Sequence, residues 1–350
     1  MRRRPFLVSL PCLAAMRATA LPVRTLEFPR DFGAHPERRT EWWYVTGFAE
    51  AGGREFGFQL TFFRSRIEQA QALASKFAAR QLVFAHAALT DVRGKRLWHD
   101  QRIAREGFGV AQADAADTRV QLRDWHLVRD GDGSYGARLP AGEFTLDLRF
   151  TPTQPVLLQG RQGLSRKGPD EDQASYYYSV PQLAVGGALV LQGQRFAISA
   201  GRAWLDHEWS DALLHPQAVG WDWIGMNLDD GSALTAFQLR RSDGTALWDG
   251  GSFRAANGST FIAARGETQF AAQRRWTSPL SQATYPVEWV VRTPADFYTV
   301  TAVLDNQELD SRASTGAIYW EGLARLADSN GKQVGAGYLE MTGYAQRLRI

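Results

Sequence analysis

Cysteine is nearly absent from this 350-residue sequence, in which Cys12 is the only one. A single thiol excludes an internal disulfide and any zinc site built from several cysteines. The Gly-x-Ser-x-Gly elbow of serine hydrolases is also missing, and no apolar run beyond the first twenty residues is long enough to span a membrane. Carboxylates, histidines and aromatic side chains are therefore the candidates for its chemistry.

The N-terminus has the three parts of an export signal. Residues 2–4 are arginines, residues 5–16 are apolar, and Ala18-Thr-Ala20 is a cleavage site of the A-x-A type. Two of the arginines precede Pro-Phe-Leu, which fits the twin-arginine pattern. We predict a signal peptide over 1–20 and a periplasmic or secreted mature protein; a buried or disordered N-terminal arm is the alternative.

Removing that segment changes the sign of the net charge. The whole chain carries 40 Lys and Arg against 37 Asp and Glu, a formal charge of +3, and the segment takes away four arginines and no acid. The mature chain is then at −1 and has no cysteine. We therefore expect no nucleic-acid partner, no thiol nucleophile and no cysteine metal site.

Short alternating segments separated by turn residues dominate the rest of the chain. Residues 41–48, a turn at 51–53 and residues 54–63 predict a β-hairpin. Only 67–81 looks helical, and 160–175 has the composition of a long polar loop, a feature that is often functional. Further strands are predicted over 82–91, 119–128, 144–150, 224–227, 233–241, 287–292 and 298–304.

This pattern favours an all-β sandwich or barrel, and 350 residues exceed one ordinary core, which predicts two domains. We assign residues 21–205 to an N-terminal domain and 206–350 to a C-terminal domain.

The most informative stretch is 201–225, which holds four of the twelve tryptophans. Asp206, His207, Glu208 and Asp222 lie among them. Tryptophan is seldom fully buried, its indole N–H needs an acceptor, and ionisable groups among such rings are costly unless they are paired or used. A functional site is therefore predicted here.

Strand alternation limits which of these side chains can act together. In an extended segment, Asp206 and Glu208 share one face, whereas His207 and Trp209 share the other. Trp221 and Trp223 likewise share a face and Asp222 opposes them. Upstream, Glu41 faces with Trp43, and Trp42 with Tyr44.

Several segments together resemble one family, the secreted AttH-like proteins, which are related to the carotenoid 1,2-hydratases. They occur in order across almost the whole mature chain: His35-Pro-Glu-Arg-Arg-Thr-Glu-Trp-Trp-Tyr44, Phe84-Ala-His86, Gly163-Leu-Ser-Arg-Lys-Gly168, Ser175-Tyr-Tyr-Tyr-Ser179, Trp204 to Trp209, Gly220-Trp-Asp-Trp223, Tyr319-Trp-Glu-Gly322 and Gly337-Tyr-Leu-Glu-Met-Thr-Gly-Tyr344. The resemblance implies two tandem lipocalin-like (calycin-type) β-barrels packed against each other around a cavity for a hydrophobic ligand.

The resemblance implies two functions of different class. One branch of the family adds water to an isolated carbon–carbon double bond without a cofactor, and related fungal proteins shape a polyene for cyclisation. The bacterial secreted branch carries the label of a hydrolase and is associated with ABC export systems. A cofactor-free hydratase is therefore the first prediction, and a non-catalytic lipid or metabolite carrier serving an ABC exporter is the alternative.

The His-x-Trp element of the carotenoid hydratases matches His207-Glu208-Trp209. Hydration needs a proton donor, which a carboxylic acid kept protonated by apolar burial supplies, and aromatic faces that tolerate a cation. We therefore expect His207 to project into the cavity beside an acid. The candidate catalytic residues are His207, Asp206, Asp222 and Glu41; the candidate ligand-binding residues are Trp209, Trp221, Trp223, Trp43, Tyr177, Tyr178 and His86.

Structural roles are the alternative interpretation of these residues. The aromatic side chains could instead close the barrel ends or join the domains, with the acids accepting from indole N–H groups, and His86 could be an ordinary core histidine. Asp206-His207-Glu208 contains metal-ligand residue types, but adjacent strand residues diverge, so no metal is expected.

Overall fold

The computed structural model describes residues 21–212 and 214–348. The predicted signal peptide, 1–20, lies outside the described residues. Strands dominate both ranges, and their helical structure comprises a 3-10 turn at Arg30–Phe32 and a helix α1 at Glu68–Gln71. Neither of these short elements, nor any other helix in the described ranges, has the length and apolar character of a transmembrane span.

The first barrel is one sheet of thirteen antiparallel strands. Its order is β4-β3-β2-β1-β13-β12-β9-β8-β7-β6-β5, with β10 and β11 pairing with β12. Strands β3 and β4 also contact β5 and β6, which nearly closes the sheet around a core of aliphatic and aromatic side chains. The strands are β1 Thr40–Ala51, β2 Arg54–Arg66, β3 Gln81–Asp91, β4 Arg96–Arg105, β5 Ala111–Ala113, β6 Arg119–Leu122, β7 Trp125–Arg129, β8 Tyr135–Pro140, β9 Phe144–Thr151, β10 Leu157–Leu158, β11 Leu164–Arg166, β12 Ala174–Leu191 and β13 Gln194–Ser210.

The second barrel is a sheet of ten strands with a separate core. Its order is β17-β16-β15-β14-β25-β24-β22-β21-β18, with β23 pairing with β24, and β19 and β20 form a ribbon of their own. The strands are β14 Gly220–Leu228, β15 Ala233–Arg240, β16 Ala246–Arg254, β17 Thr260–Ala263, β18 Gln269–Ala272, β19 Arg275–Thr277, β20 Thr284–Pro286, β21 Glu288–Arg292, β22 Phe297–Ala302, β23 Glu308–Ser311, β24 Ala317–Ala327 and β25 Gln333–Met341.

The predicted all-β fold with two barrel domains is confirmed, as is the first hairpin, β1–β2. The sheet changes between Ser210 and Gly220, so the predicted domain boundary at 205/206 falls inside β13. That strand belongs to the first barrel along its whole length, because it pairs with β1 and β12.

Two predicted elements differ from the structure. The helix predicted over 67–81 is limited to α1, because the Gln71 side chain donates to the carbonyls of Ile67 and Arg80 and closes the segment into a loop. The strand predicted over 119–128 is the hairpin β6–β7, and Arg123 adopts a left-handed φ of 57° at its turn.

The outer face of the first barrel packs against the second barrel, where β1, β2 and β13 contact β25, β24 and β14. Gly57 permits this approach: a Cβ there would lie 2.9 Å from the Tyr338 hydroxyl and 3.0 Å from the Leu323 Cβ. Thr90 donates to Gln307 across the boundary at 2.9 Å. At one end the faces diverge and enclose a cavity.

Candidate active site between the two barrels

The inter-barrel cavity has a volume of about 730 Å³. Strands of both barrels line it with alternate residues, because every second side chain of a strand points to the same face. The walls are mostly aromatic and aliphatic, with a group of acids at their centre. The strand residues that line it include Trp42, Tyr44, Phe63, Phe84, His86, Tyr177, Asp206, Glu208, Trp221, Trp223, Phe237, Leu239, Tyr319, Glu321 and Glu340.

Strand β13 divides the predicted site between two environments. Asp206 and Glu208 face the cavity, as do Trp221, Trp223 and Tyr177. His207 and Trp209 are fully buried on the opposite face, inside the first barrel. The predicted alternation is therefore correct, but the expectation that His207 projects into the cavity is not, because the cavity lies on the outer face of the sheet.

Asp206 is a buried acid held by three donors. Its Oδ1 accepts from Ser179 Oγ at 2.5 Å and from Trp204 Nε1 at 2.7 Å, and its Oδ2 accepts from Tyr177 Oη at 2.8 Å. Burial raises the pKa of Asp206 to about 7, although these hydrogen bonds lower it. Burial outweighs the donors, so near neutral pH the group exists in both protonation states.

Glu321 and Glu340 lie directly opposite each other across β24 and β25. Burial raises the pKa of Glu321 well above its usual range, and the charge of Glu340 raises it further. Burial likewise raises the pKa of Glu340 to about 8. Like charges opposite each other on neighbouring strands repel, so the pair retains a proton at neutral pH.

Tyr44 contacts this pair from the first barrel. Its hydroxyl lies beside the Glu321 carboxyl group, and both side chains line the cavity. Burial, followed by the charge of Glu321, raises the pKa of Tyr44 well above its usual range. Tyr44 is therefore a neutral hydroxyl next to the two acids.

The loop before β12 brings a cation to the acids. Lys167 forms an ion pair with Glu208, with 3.1 Å between Nζ and Oε1. Its ammonium also lies over the rings of Tyr177 and Phe237, at 4.7 and 4.3 Å from their centroids. The polar loop thus borders the cavity through Lys167, which gives the Glu208 carboxylate a close counter-charge.

His86 lines the far side of the cavity and joins the two barrels. Its Nδ1 lies 2.8 Å from Tyr319 Oη and its Nε2 lies 2.8 Å from Ser314 Oγ. Burial lowers the pKa of His86 to about 3, so the ring is neutral. The residue is therefore both a satisfied buried histidine and part of the cavity wall.

Inside the first barrel, Asp31, His35, Glu41, Arg64 and His207 form what we call the core cluster. Glu41 Oε1 lies 2.7 Å from His35 Nδ1 and 2.9 Å from His207 Nε2, and its Oε2 accepts from Arg64 Nε at 2.8 Å. Burial raises the pKa of Glu41, but the hydrogen bonds with His207 and His35 and the charges of these two rings hold it well below its usual range. Burial lowers the pKa of His207 to about 4.

Three members of the core cluster could in principle hold a metal ion. The ligand atoms of His35, Glu41 and His207 lie within 4.8 Å of one another. Those atoms already bond one another, and the Arg64 guanidinium occupies the position beside Glu41 where a cation would add positive charge. His35 also bonds Asp31 through its other nitrogen at 3.0 Å, which leaves it no free lone pair when both its nitrogens donate.

The remaining predicted residues lie inside the barrels. Trp43 and Tyr178 pack beside His207, with ring centroids 4.6 and 5.3 Å away. Asp222 lies inside the second barrel, 2.8 Å from Arg240 Nε, and accepts from Gln238 and Tyr344. The four predicted catalytic residues are thus divided between two barrel interiors and the cavity, where Asp206 alone of the four is found.

Reasoning from the sequence missed Lys167, Glu321 and Glu340. Signals for them were present, because Tyr319-Trp-Glu-Gly322, Gly337-Tyr-Leu-Glu340 and Ser165-Arg-Lys167 lie within the recognised motifs. Alternation also predicts that Tyr319 and Glu321 share a face. Their proximity to Asp206 depends on barrel packing, which no local pattern reveals.

Comparison with known proteins agrees with this architecture. The family model described as AttH-like matches residues 19–344. A crystal structure of a putative AttH from Nitrosomonas europaea is 48% identical, with a TM-score of 0.87, over 94% of this chain and 100% of that chain. No curated protein matched.

Two more distant structures share the fold. Kievitone hydratase from Nectria haematococca is 13% identical, with a TM-score of 0.70, over 94% of this chain and 96% of that one. The protein CghA is 13% identical, with a TM-score of 0.52, over 88% of each chain. At these identities the likeness concerns the fold, which extends the two-barrel arrangement to proteins of very different sequence.

Proposed function

The chain belongs to the AttH-like family, and we propose that it is a cofactor-independent hydratase that adds water to an isolated carbon–carbon double bond of a hydrophobic small molecule. The observation that carries the proposal is the Glu321–Glu340 pair, two opposed carboxyl groups with raised pKa values that line the cavity, with Glu321 buried and Glu340 partly exposed. The name of one structural neighbour, kievitone hydratase, is consistent with this class of reaction.

The reaction needs an acid that is protonated at neutral pH and a surface that tolerates positive charge. Glu340, with Glu321 opposite, donates its proton to one alkene carbon, and a C–H bond forms as the π bond breaks. The resulting cation lies among the rings of Trp42, Trp221 and Trp223, whose faces attract positive charge. Water adds to the cation and returns a proton to the carboxylate, so that atoms and charge balance.

Asp206 also lines the cavity and, like Glu321 and Glu340, has a raised pKa. Its pKa of about 7 suits a group that gains and loses a proton near neutral pH, and Tyr177 holds its carboxylate in position. We propose that the Asp206 carboxylate accepts a hydrogen bond from the attacking water and orients it, while the proton that the water releases returns to Glu340.

The test begins with native mass spectrometry of protein isolated from its own compartment, which identifies what co-purifies. That molecule, together with geraniol, farnesol and geranylgeraniol, is then incubated with the protein in H₂¹⁸O, and ¹⁸O incorporation is measured. We expect Glu340→Gln to lower the rate about 10²–10⁴-fold, the range typical of a lost general acid. Glu68→Gln, which removes an exposed carboxylate at the cavity mouth, is the matched control and should retain the rate.

The alternative, a non-catalytic carrier of lipids or metabolites that serves an ABC exporter, predicts a different outcome. A carrier would bind the co-purified molecule without incorporating ¹⁸O, and its affinity would be insensitive to Glu340→Gln. Turnover by the wild-type protein that falls as pH rises above about 7 to 8 would instead support the acid, because the donor must be protonated.

We propose that the reaction takes place after export. The support is the sequence of residues 1–20, whose paired arginines precede an apolar segment and an A-x-A site. Changing Arg3 and Arg4 to Lys keeps the charge but breaks the twin-arginine pattern, and we expect the precursor to accumulate in the cytoplasm. Normal export of this variant would favour the general secretory route.

A further inference from the structure

One lip of the cavity mouth exposes four large apolar side chains. The loop after α1 contributes Leu73 and Phe77, which are 52% and 60% exposed, and β4 and the turn after it contribute Ile103 and Phe108, 39% and 57% exposed. Phe77 and Phe108 stack on each other, with centroids 5.4 Å apart and planes 5° from parallel. We call these four side chains the apolar lip.

The apolar lip is continuous with the cavity wall. Phe63, Phe84 and Ile103 lie side by side across β2, β3 and β4, and all three line the cavity. Arg105, two residues beyond Ile103 on the same face, places its guanidinium over Phe77 and Phe108 at 5.5 and 4.1 Å from their centroids. An apolar path therefore runs from the ligand cavity to an exposed aromatic pair.

The surroundings of the apolar lip are basic although the mature chain is slightly acidic. Residues 66–80 and 103–110 carry Arg66, Lys76, Arg80 and Arg105 against Glu68 and Glu106, a formal charge of +2. Lys76 and Arg80 are exposed. Exposed aromatic side chains ringed by cations are suited to the headgroup region of a bilayer, and cations near the surface favour anionic lipids.

We propose that the apolar lip docks on an anionic lipid bilayer and that the hydrophobic ligand passes between bilayer and cavity along this path. The aromatic pair enters the headgroup region while Lys76, Arg80 and Arg105 contact lipid phosphates. Docking goes beyond the proposed hydratase activity and stands without it, because only the passage of the ligand depends on the cavity being a ligand site.

The test is co-sedimentation of the mature protein with vesicles of phosphatidylcholine containing phosphatidylglycerol. We expect Phe77→Ser combined with Phe108→Ser to weaken partitioning about tenfold or more, since two large apolar side chains no longer leave water. The matched control is Phe261→Ser combined with Phe297→Ser, which removes two phenylalanines that are 45% and 53% exposed on the second barrel. Melting temperatures establish that both variants are folded.

The charge contribution has its own variant. Lys76→Gln with Arg80→Gln should weaken binding to the phosphatidylglycerol vesicles and leave the weaker binding to pure phosphatidylcholine unchanged. Equal partitioning of the lip variant and its control, or no sedimentation of the wild-type protein with either vesicle, overturns the proposal. Hydration of detergent-dispersed substrate should persist in the lip variant, so loss of membrane docking and loss of the proposed activity are separate outcomes.

Discussion

Two groups of acids, one inside the first barrel and one in the cavity, lie on opposite sides of β13. They differ in how their negative charge is compensated. In the core cluster, Glu41 contacts Arg64, His35 and His207, and its pKa is lowered. In the cavity, Glu321 faces Glu340, and their pKa values are raised. Glu41 and Glu321 are both buried, so burial alone does not explain the opposite shifts of their pKa values.

The difference is the nearest charge. Burial raises the pKa of every carboxylic acid, and cationic or hydrogen-bonding partners reverse the shift when they are close enough. The core cluster has such partners and acts to join the residues before β1 to the first barrel. The cavity acids Glu321 and Glu340 face each other, and their pKa values are raised.

The largest expected effect is on the pH dependence of stability. Asp206 and Glu340 have folded pKa values of about 7 and 8 against ordinary values of 3.8 and 4.5. The folded protein therefore holds protons that the unfolded chain releases, so stability is lost as pH rises from about 4 through 7 to 8. A shift of three units corresponds to about 4 kcal/mol per group.

The free energy of unfolding, measured by urea titration between pH 4 and 9, checks this. The double variant with Asp206→Asn and Glu340→Gln should flatten the alkaline decline. In this variant the free energy of unfolding should still fall slightly above pH 6.5. The pKa of His35 is raised in the folded protein, so the stability that its protonated ring contributes is lost as pH rises above that value. An unchanged pH profile would show that the cavity acids are not held protonated.

The next largest effect is expected when a carboxylate that has a buried cationic partner is removed. Glu41→Gln leaves Arg64 and His35 buried without their carboxylate, and losing one partner of a buried ion pair costs about 3–5 kcal/mol. We expect urea unfolding to show this loss, whereas Glu321→Gln, which relieves a repulsion, should leave stability unchanged or higher. Equal losses for the two variants would remove the contrast between the clusters.

A smaller loss is expected for His207→Ala. The change removes contacts with Glu41 and Tyr178 and leaves a hole beside Trp43 and Trp209, at a cost of about 2–4 kcal/mol. Activity per folded molecule should persist, because the ring faces the barrel interior. The opposite outcome, a folded protein without activity, would be expected if His207 projected into the cavity, as the sequence alone predicted. His99→Ala, at an exposed histidine, is the control for both assays.

The smallest effect should follow metal removal. The ligand atoms of His35, Glu41 and His207 are committed to one another, and Arg64 supplies the positive charge. We expect the melting temperature to change by less than the error of the measurement on adding EDTA or zinc. A clear rise with zinc, reversed by EDTA, would identify the core cluster as a metal site.

Much of the fold was predictable from local patterns. Alternation and turn residues indicated an all-β chain, and the motifs from His35 to Tyr344 indicated two barrels. The helix prediction was wrong for most of residues 67–81, where the Gln71 side chain donates to the backbone carbonyls of Ile67 and Arg80 on both sides of a loop. Such bonds depend on where the chain returns, so a helical composition did not reveal them.

The sequence by itself determined that Asp206 and Glu208 point to one face of β13 and His207 to the other, because successive side chains of a strand point to opposite faces. Only the tertiary structure decided which face borders the cavity. The first barrel curves its sheet around His207, and the second barrel packs on the outside, bringing Glu321 and Glu340 to the face of Asp206. Asp206 is more than a hundred residues away from Glu321 and Glu340 in the sequence, so only the packing of the two barrels brings these acids together. Strand alternation, in contrast, relates only neighbouring residues of one strand.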